Sequence, residues 1–365
     1  MTARLKRAFL YVSKRIGLFR LAPWWTKGGL QILCYHGFEL MDEAQFWPSM
    51  FMRFSTFRRR LETIVAHRIP LLSLEMGLTC LREGTLPPRA TVITIDDGLY
   101  SVLSVAAPEL KRYGFPATLY ATTYYSIKEA PVFVLVVQYL FWRSRRERLD
   151  LTGLPVGDGG VADLSNQRER ERVMWQLMDY GEAQDGEEVR EALSREIAKR
   201  LDVDYRPIRE SRCLSLLTRS ELKELAAFGI DVQLHTHRHR FSQDDPAAAR
   251  NEIVDNKAVL EPLLGRRLSH FCYPSGVWEP GMWPVLQSAG VKSATTCVPG
   301  LNYADTHPLA LRRFLDGEHV SEIEFEAEIC GYMEMLRAAR DALRRLFASV
   351  TRRAANSTLE TPQGA

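Results

Sequence analysis

Short apolar runs recur along the chain, and each closes on polar residues or a glycine. They occupy residues 30–35, 71–74, 90–95, 117–122, 230–234, 268–273, 291–296 and 309–315. Runs this short, bounded by turn formers, read as strands buried on both faces. Between them the apolar spacing shifts to three and four. Phe54, Phe57, Leu61, Ile64 and Val65 place a helix over 51–66, with Ser55 or Thr56 as its cap. Further helices follow over 74–81, over 101–112 with Gly114 closing it, over 247–264, over 279–289 before Gly290, and over 322–353. Thr218 and Glu221 form a capping box for a helix ending at Gly229. Strand, helix and strand in succession imply an α/β fold with a parallel sheet and right-handed crossovers.

The pattern breaks over 144–212. Charge is dense there, and a glycine-rich loop at 157–160 interrupts it. The stretch reads as a helical insertion with a solvated face. The chain therefore divides into a basic amphipathic segment (1–29), a first barrel part (30–143), the insertion (144–212), a second barrel part (213–320), and a basic C-terminal helix with a disordered tail (321–365).

The 365 residues are 46% hydrophobic and 25% charged, an ordinary globular composition. The net charge of +3 is too small to argue for nucleic acid. Six cysteines are scattered without a C-x-x-C pair, which points to buried thiols in a reducing compartment. No stretch approaches the roughly 20 apolar residues of a membrane span. Segment 1–29 carries Arg4, Lys6, Arg7, Lys14, Arg15, Arg20 and Lys27 with no acid before Glu39. It lacks the continuous apolar region of a secretory signal. Leu5, Phe9, Val12, Ile16 and Phe19 recur at helical spacing, and Trp24 and Trp25 follow. Such a helix can lie on an anionic membrane surface or dock on the domain's own flank.

Chemistry gathers at the strand ends. The run 90–95 ends in Asp96, Asp97 and Gly98; 230–234 runs into His235, Thr236, His237, Arg238 and His239; 30–35 ends at His36. In parallel α/β folds the C-terminal strand ends form the site. An Asp-Asp-Gly also occurs as a plain strand-to-helix turn, and a histidine pair four apart is weak alone. Together at one rim they make a candidate Asp/His/His divalent site.

Three segments resemble the polysaccharide deacetylase family, the NodB-homology or carbohydrate esterase 4 fold. They are Thr94-Ile95-Asp96-Asp97-Gly98, His235-Thr236-His237-Arg238-His239, and Phe271-Cys272-Tyr273-Pro274-Ser275-Gly276. The resemblance implies a distorted (β/α) barrel of about seven parallel strands. It implies a divalent metal, zinc being expected, on Asp97, His235 and His239, with Asp96 as general base. His237 has no ligand role in it. The family's third motif often begins with an arginine where this chain has Cys272, and its usual C-terminal acid is not evident after residue 300. Tyr35-His36 resembles relatives with permuted strand order, which assigns His36 as the acid. Arg313 resembles the arginine that pairs with the base, and a backbone N–H near Tyr273 would hold the oxyanion.

The implied function is a hydrolase acting on carbon–nitrogen bonds, a metal-dependent deacetylase. Its substrate would be an N-acetylhexosamine-containing glycan, or a lipid-linked or exopolysaccharide precursor. The expected partner is a carbohydrate or glycolipid. The expected location is cytoplasmic, at the inner membrane face where 1–29 makes contact. Hydrolysis of a small amide or ureide, and a non-catalytic carbohydrate-binding relative, remain as rivals. The insertion can serve as a lid, a dimer face or a partner site.

Overall fold

A computed structural model describes residues 2–157, 159–184 and 186–357, the side chains of 345–357 excepted. Seven parallel strands form the sheet: β1 (Gln31–Tyr35), β2 (Thr91–Ile95), β3 (Ala117–Ala121), β4 (Asp231–Leu234), β5 (His270–Cys272), β6 (Ser293–Thr295) and β7 (Phe314–Leu315). Their spatial order is β6-β5-β4-β3-β2-β1-β7. One segment joins both edges. Leu311 bridges Thr295 of β6, and the chain then crosses so that Phe314 and Leu315 pair with Leu33 and Cys34 of β1. The sheet thereby curls into a distorted (β/α) barrel, and Arg313 falls between the two pairings with its side chain fully buried.

Twelve helices matter here: α1 (Ala3–Arg15), α2 (Leu18–Trp25), α3 (Phe54–Ala66), α4 (Leu74–Glu83), α5 (Ala107–Tyr113), α6 (Phe133–Arg143), α7 (Gln167–Glu182), α8 (Glu187–Arg200), α9 (Arg219–Ala227), α10 (Pro246–Leu264), α11 (Glu322–Ile329) and α12 (Tyr332–Ser357). The main core joins the strands to α3, α5, α9 and α10 through Leu33, Phe57, Leu61, Ile93, Leu110, Leu225, Val232 and Ile253. A second core belongs to the insertion. Val136, Val137 and Leu140 of α6 pack with Val173 and Leu177 of α7 and Leu193 and Ile197 of α8.

Several elements differ from the sequence reading, each for a physical reason. The helix expected from 51 starts at Phe54, because Phe51 and Met52 pair as a strand with Gly37 and Phe38. Gly37 makes that pairing possible: a Cβ there would lie 2.6 Å from the Phe51 ring. Neither Ser55 nor Thr56 caps the helix; Arg53 stands at the cap, and Thr56 Oγ1 donates to Glu318 instead. The run 71–74 gives one bridge, Leu71 to Thr91, before Ser73 caps α4. Helix 101–112 opens as a π-turn over Val102–Ala106. Helix 279–289 shortens to Trp283–Ser288 behind a 3₁₀ turn. The insertion is not purely helical: Arg148–Asp150 and Val161–Asp163 form an antiparallel hairpin around the glycine-rich loop. The C-terminal helix is two helices, broken at Gly331 with φ 83°. Its second part runs to Ser357, beyond the expected helix end at 353, and residues 358–365, where the disordered tail was expected, lie outside the described residues.

Candidate active site

Asp96 and Asp97 follow β2 and part company within one residue. The Asp96 N–H still donates to Tyr35 O at 2.9 Å, so Asp96 keeps the strand register. At Asp97 the backbone turns left-handed, with φ 69° followed by 89° at Gly98. A left-handed aspartate is uncommon and costs energy. The turn frees the Asp97 side chain from strand alternation, while its carbonyl accepts from the Thr122 N–H at 3.2 Å.

Asp96 points into the barrel and is met by Arg313. Two N–H groups of the guanidinium donate to its two oxygens, each at 2.7 Å. Arg313 is held in turn by Thr296 O at 2.9 Å and Thr94 Oγ1 at 3.2 Å. The thiols of Cys272 and Cys34 lie 3.3 and 3.5 Å from Asp96 Oδ2. Burial would raise the carboxyl pKa, but Arg313 outweighs it by charge and hydrogen bonds and holds Asp96 well below the carboxylate range.

Asp97 faces the histidine loop. Its Oδ1 lies 3.2 Å from His235 Nε2 and 3.4 Å from His239 Nε2. One ligand atom from each of the three fits within 4.8 Å of the others. The loop reaches this shape through left-handed Thr236 (φ 64°) and His239 (φ 58°). His235 Nδ1 donates to the Cys272 carbonyl at 2.8 Å, since a carbonyl can only accept, and this orients the ring so that Nε2 faces Asp97. Burial opposes charge on Asp97, yet the His235 hydrogen bond and the neighbouring imidazoles pull its pKa down to about 2. A carboxylate and two imidazoles that present their Nε2 atoms to one point suit zinc or a similar divalent cation. Two other close groups, Cys34–His36–Asp96 and Asp96–His235–Cys272, both use Asp96. A cation there would meet the Arg313 guanidinium, so neither fits.

Buried Asn256 of α10 organises the loop. Its side chain accepts from the His235 N–H at 3.1 Å and donates to Ala121 O and Thr123 Oγ1. His237 lines the cavity beside Asp97 and His239 but is held by another partner, with Nδ1 2.8 Å from Thr123 Oγ1. His36 stands at the same rim, its Nε2 3.9 Å from Asp96 Oδ2. Its buried Nδ1 has no hydrogen-bond partner among the described residues.

The expected oxyanion donor, a backbone N–H near Tyr273, is not the N–H of Tyr273 itself. Its N–H already donates to Thr295 O at 3.1 Å, because β5 pairs with β6 there. Its side chain is buried, and the hydroxyl donates to Leu309 O at 3.0 Å. Tyr273 is a core residue whose own N–H is not free for an oxyanion.

A family model described as "Polysaccharide deacetylase" matches residues 202–294, the span that carries the histidine loop and β4 to β6. Over that span the chain is similar to the polysaccharide deacetylase family. It is 25% identical over 114 residues to a protein of Bacillus subtilis (strain 168) named "Putative polysaccharide deacetylase YxkH". That match spans 31% of this chain and 41% of YxkH. The fold is similar to the deacetylase PplD of Streptococcus pyogenes, solved with acetate: TM-score 0.52, 19% identity, 81% of this chain and 96% of that one. It is also similar to IcaB from Ammonifex degensii: TM-score 0.51, 16% identity, 83% and 96% covered.

A cavity of about 310 Å³ opens beside the acid and histidines. Asp97, His237 and His239 line one side with Arg238 and Arg240; Trp47, Leu99, Tyr124, Tyr125 and Leu135 supply most of the apolar lining. α6 and Glu182 of α7 contribute, so the insertion region shapes the pocket. Sequence reasoning missed Cys34, Asn256 and the apolar lining residues. Only Asn256 left a trace, a polar residue on a buried helical face.

Proposed function

We propose that the chain is a metal-dependent deacetylase that hydrolyses the N-acetyl group of an N-acetylhexosamine. The observation that carries this is the close grouping of Asp97, His235 and His239 one residue away from the arginine-clamped Asp96. Asp97, His235 and His239 would hold a divalent cation, zinc being the best match to the donors. When bound, it supplies Lewis acidity, polarising the amide carbonyl and lowering the pKa of water.

The protein's own groups do the rest. Asp96, kept ionised by Arg313, takes the proton of the attacking water. His36 Nε2, on the neighbouring strand end, gives a proton to the departing amine nitrogen as the C–N bond breaks. Acetate and the free amine leave. Arg313 positions Asp96 rather than touching substrate. Tyr273 has no part.

The pocket supports a substrate of limited size. Small-molecule sites run about 300–1,000 Å³, and a cavity of about 310 Å³ takes one sugar unit with its acyl group. The aromatic and apolar wall fits a hexosamine carried on a glycan end, a lipid-linked precursor or an exopolysaccharide precursor. The same size keeps hydrolysis of a small amide or ureide as the second reading. The proposed setting is cytoplasmic, at the inner face of a membrane.

The test is acetate release from N-acetylglucosamine oligomers, nucleotide sugars and lipid-linked N-acetylhexosamine, with metal content measured alongside. Turnover should follow metal occupancy and stop on chelation. Full turnover in a metal-free preparation would sink the proposal; release of ammonia from ureides without acetate release would select the second reading.

A further inference from the structure

We infer that α1 and α2 form a docking surface for an anionic lipid bilayer, independent of the reaction proposed above. α1 does dock on the barrel's flank, but by a narrow face. Leu10 and Ser13 are its buried residues. Tyr332 donates its hydroxyl to Ser13 Oγ at 2.9 Å, Lys14 pairs with Glu326 at 2.5 Å and Lys6 with Glu324 at 2.7 Å. The stripe that dominates the sequence pattern is elsewhere. Leu5, Phe9, Val12 and Ile16 follow one another at intervals of four, three and four, which stacks them on one side of a helix. All four are exposed, Ile16 to 67%.

α2 repeats the arrangement. Phe19 and Ala22 are buried, while Leu21, Trp24 and Trp25 are exposed, the tryptophans to 83% and 77%. Of the 22 large apolar side chains exposed among the described residues, eight lie between Leu5 and Trp25. That concentration separates a patch from ordinary scattered exposure. No helix among the described residues is long and apolar enough to cross a membrane.

Charge chooses the occupant. The segment has seven Lys and Arg and no acid before Glu39. Besides Lys6 and Lys14, none of the seven has a carboxylate within 4.0 Å among the described residues. An apolar stripe with unpaired cations beside it and tryptophans at one end suits a helix lying in the headgroup layer. Each nearby Lys or Arg adds about 1 kcal/mol of attraction to an anionic leaflet. A second copy of this chain would bring the same positive charge and repel it.

The experiment is vesicle flotation of the full chain, using mixed phosphatidylglycerol–phosphatidylcholine vesicles against phosphatidylcholine alone. Binding should need the anionic lipid and weaken with salt. Val12→Glu, or Trp24→Ala with Trp25→Ala, should reduce it about tenfold or more. Arg4→Gln with Arg15→Gln and Arg20→Gln should reduce it similarly and flatten the salt dependence. All three changes lie on exposed positions, so circular dichroism, melting and acetate release from a soluble substrate should match the parent. Equal binding to neutral vesicles, or undiminished binding by the variants, overturns the inference. So does a dimer in sedimentation velocity that Val12→Glu dissolves.

Discussion

Asp96 and Asp97 are neighbours of the same type, yet the protein treats them in opposite ways. Asp96 is neutralised by a cation the chain itself supplies: Arg313 holds both its oxygens at 2.7 Å inside the barrel. Asp97 is left to two histidines at 3.2 and 3.4 Å, one of them half-exposed, beside an open cavity. A carboxylate clamped by a guanidinium has a fixed charge and place. One met by two imidazole rings at a cavity wall keeps room for a metal. Two adjacent acids therefore take two roles because the backbone turns left-handed between them.

That contrast can be broken most forcefully at Asp97. Asp97→Ala should abolish metal binding and acetate release together, as should His239→Ala, with the fold intact by circular dichroism. Metal retained in either variant would place the cation elsewhere. The opposite signature belongs to Asp96→Asn. It should keep its metal while turnover falls about 10²–10⁴-fold, the range for losing a positioned acid or base; a variant that lost metal instead would merge the two roles.

Arg313→Met probes the clamp through stability. It leaves a buried carboxylate without its partner, which costs about 3–5 kcal/mol. Urea unfolding reads this directly, and an unchanged midpoint would mean that the thiols and water suffice. Asn256→Ala should weaken metal affinity about 10–100-fold, as loss of an orienting partner usually does, measured by competition with a chelating dye. The smallest effect is expected from Cys272→Ser. The hydroxyl can still donate to Asp96, so stability should change by less than about 1.5 kcal/mol. A large loss would show that the thiol's size sets the Asp96 and Arg313 geometry.

Much of this molecule was legible from the chain alone. Six of the expected strands are present with shifted ends, because strands buried on both faces leave dense apolar runs. The seventh, β7, shrinks to two residues, since 309–313 is spent crossing from one sheet edge to the other. Helix 51–66 was misjudged at its start because Phe51 and Met52 answer to a distant strand, not to local propensity. The structure groups Asp96, Asp97, His36, His235, His239 and Arg313, all assigned from strand ends and motif resemblance. It leaves Tyr273 in the core, because hydrogen-bond occupancy in a sheet cannot be read from residue type.

The sequence by itself determined the alternation of strands and helices, the polar strand ends and the amphipathic basic start, since each is a local pattern of apolar and charged positions. Local pattern alone did not say which acid faces a guanidinium and which faces histidines; motif resemblance suggested it, and only the tertiary structure gives its physical cause and decides which side of α1 is spent on the barrel. Those outcomes depend on left-handed turns at Asp97, Thr236 and His239 and on a strand arriving more than 200 residues later in the chain. Contacts between such distant positions form only when the sheet closes, so no local pattern carries them.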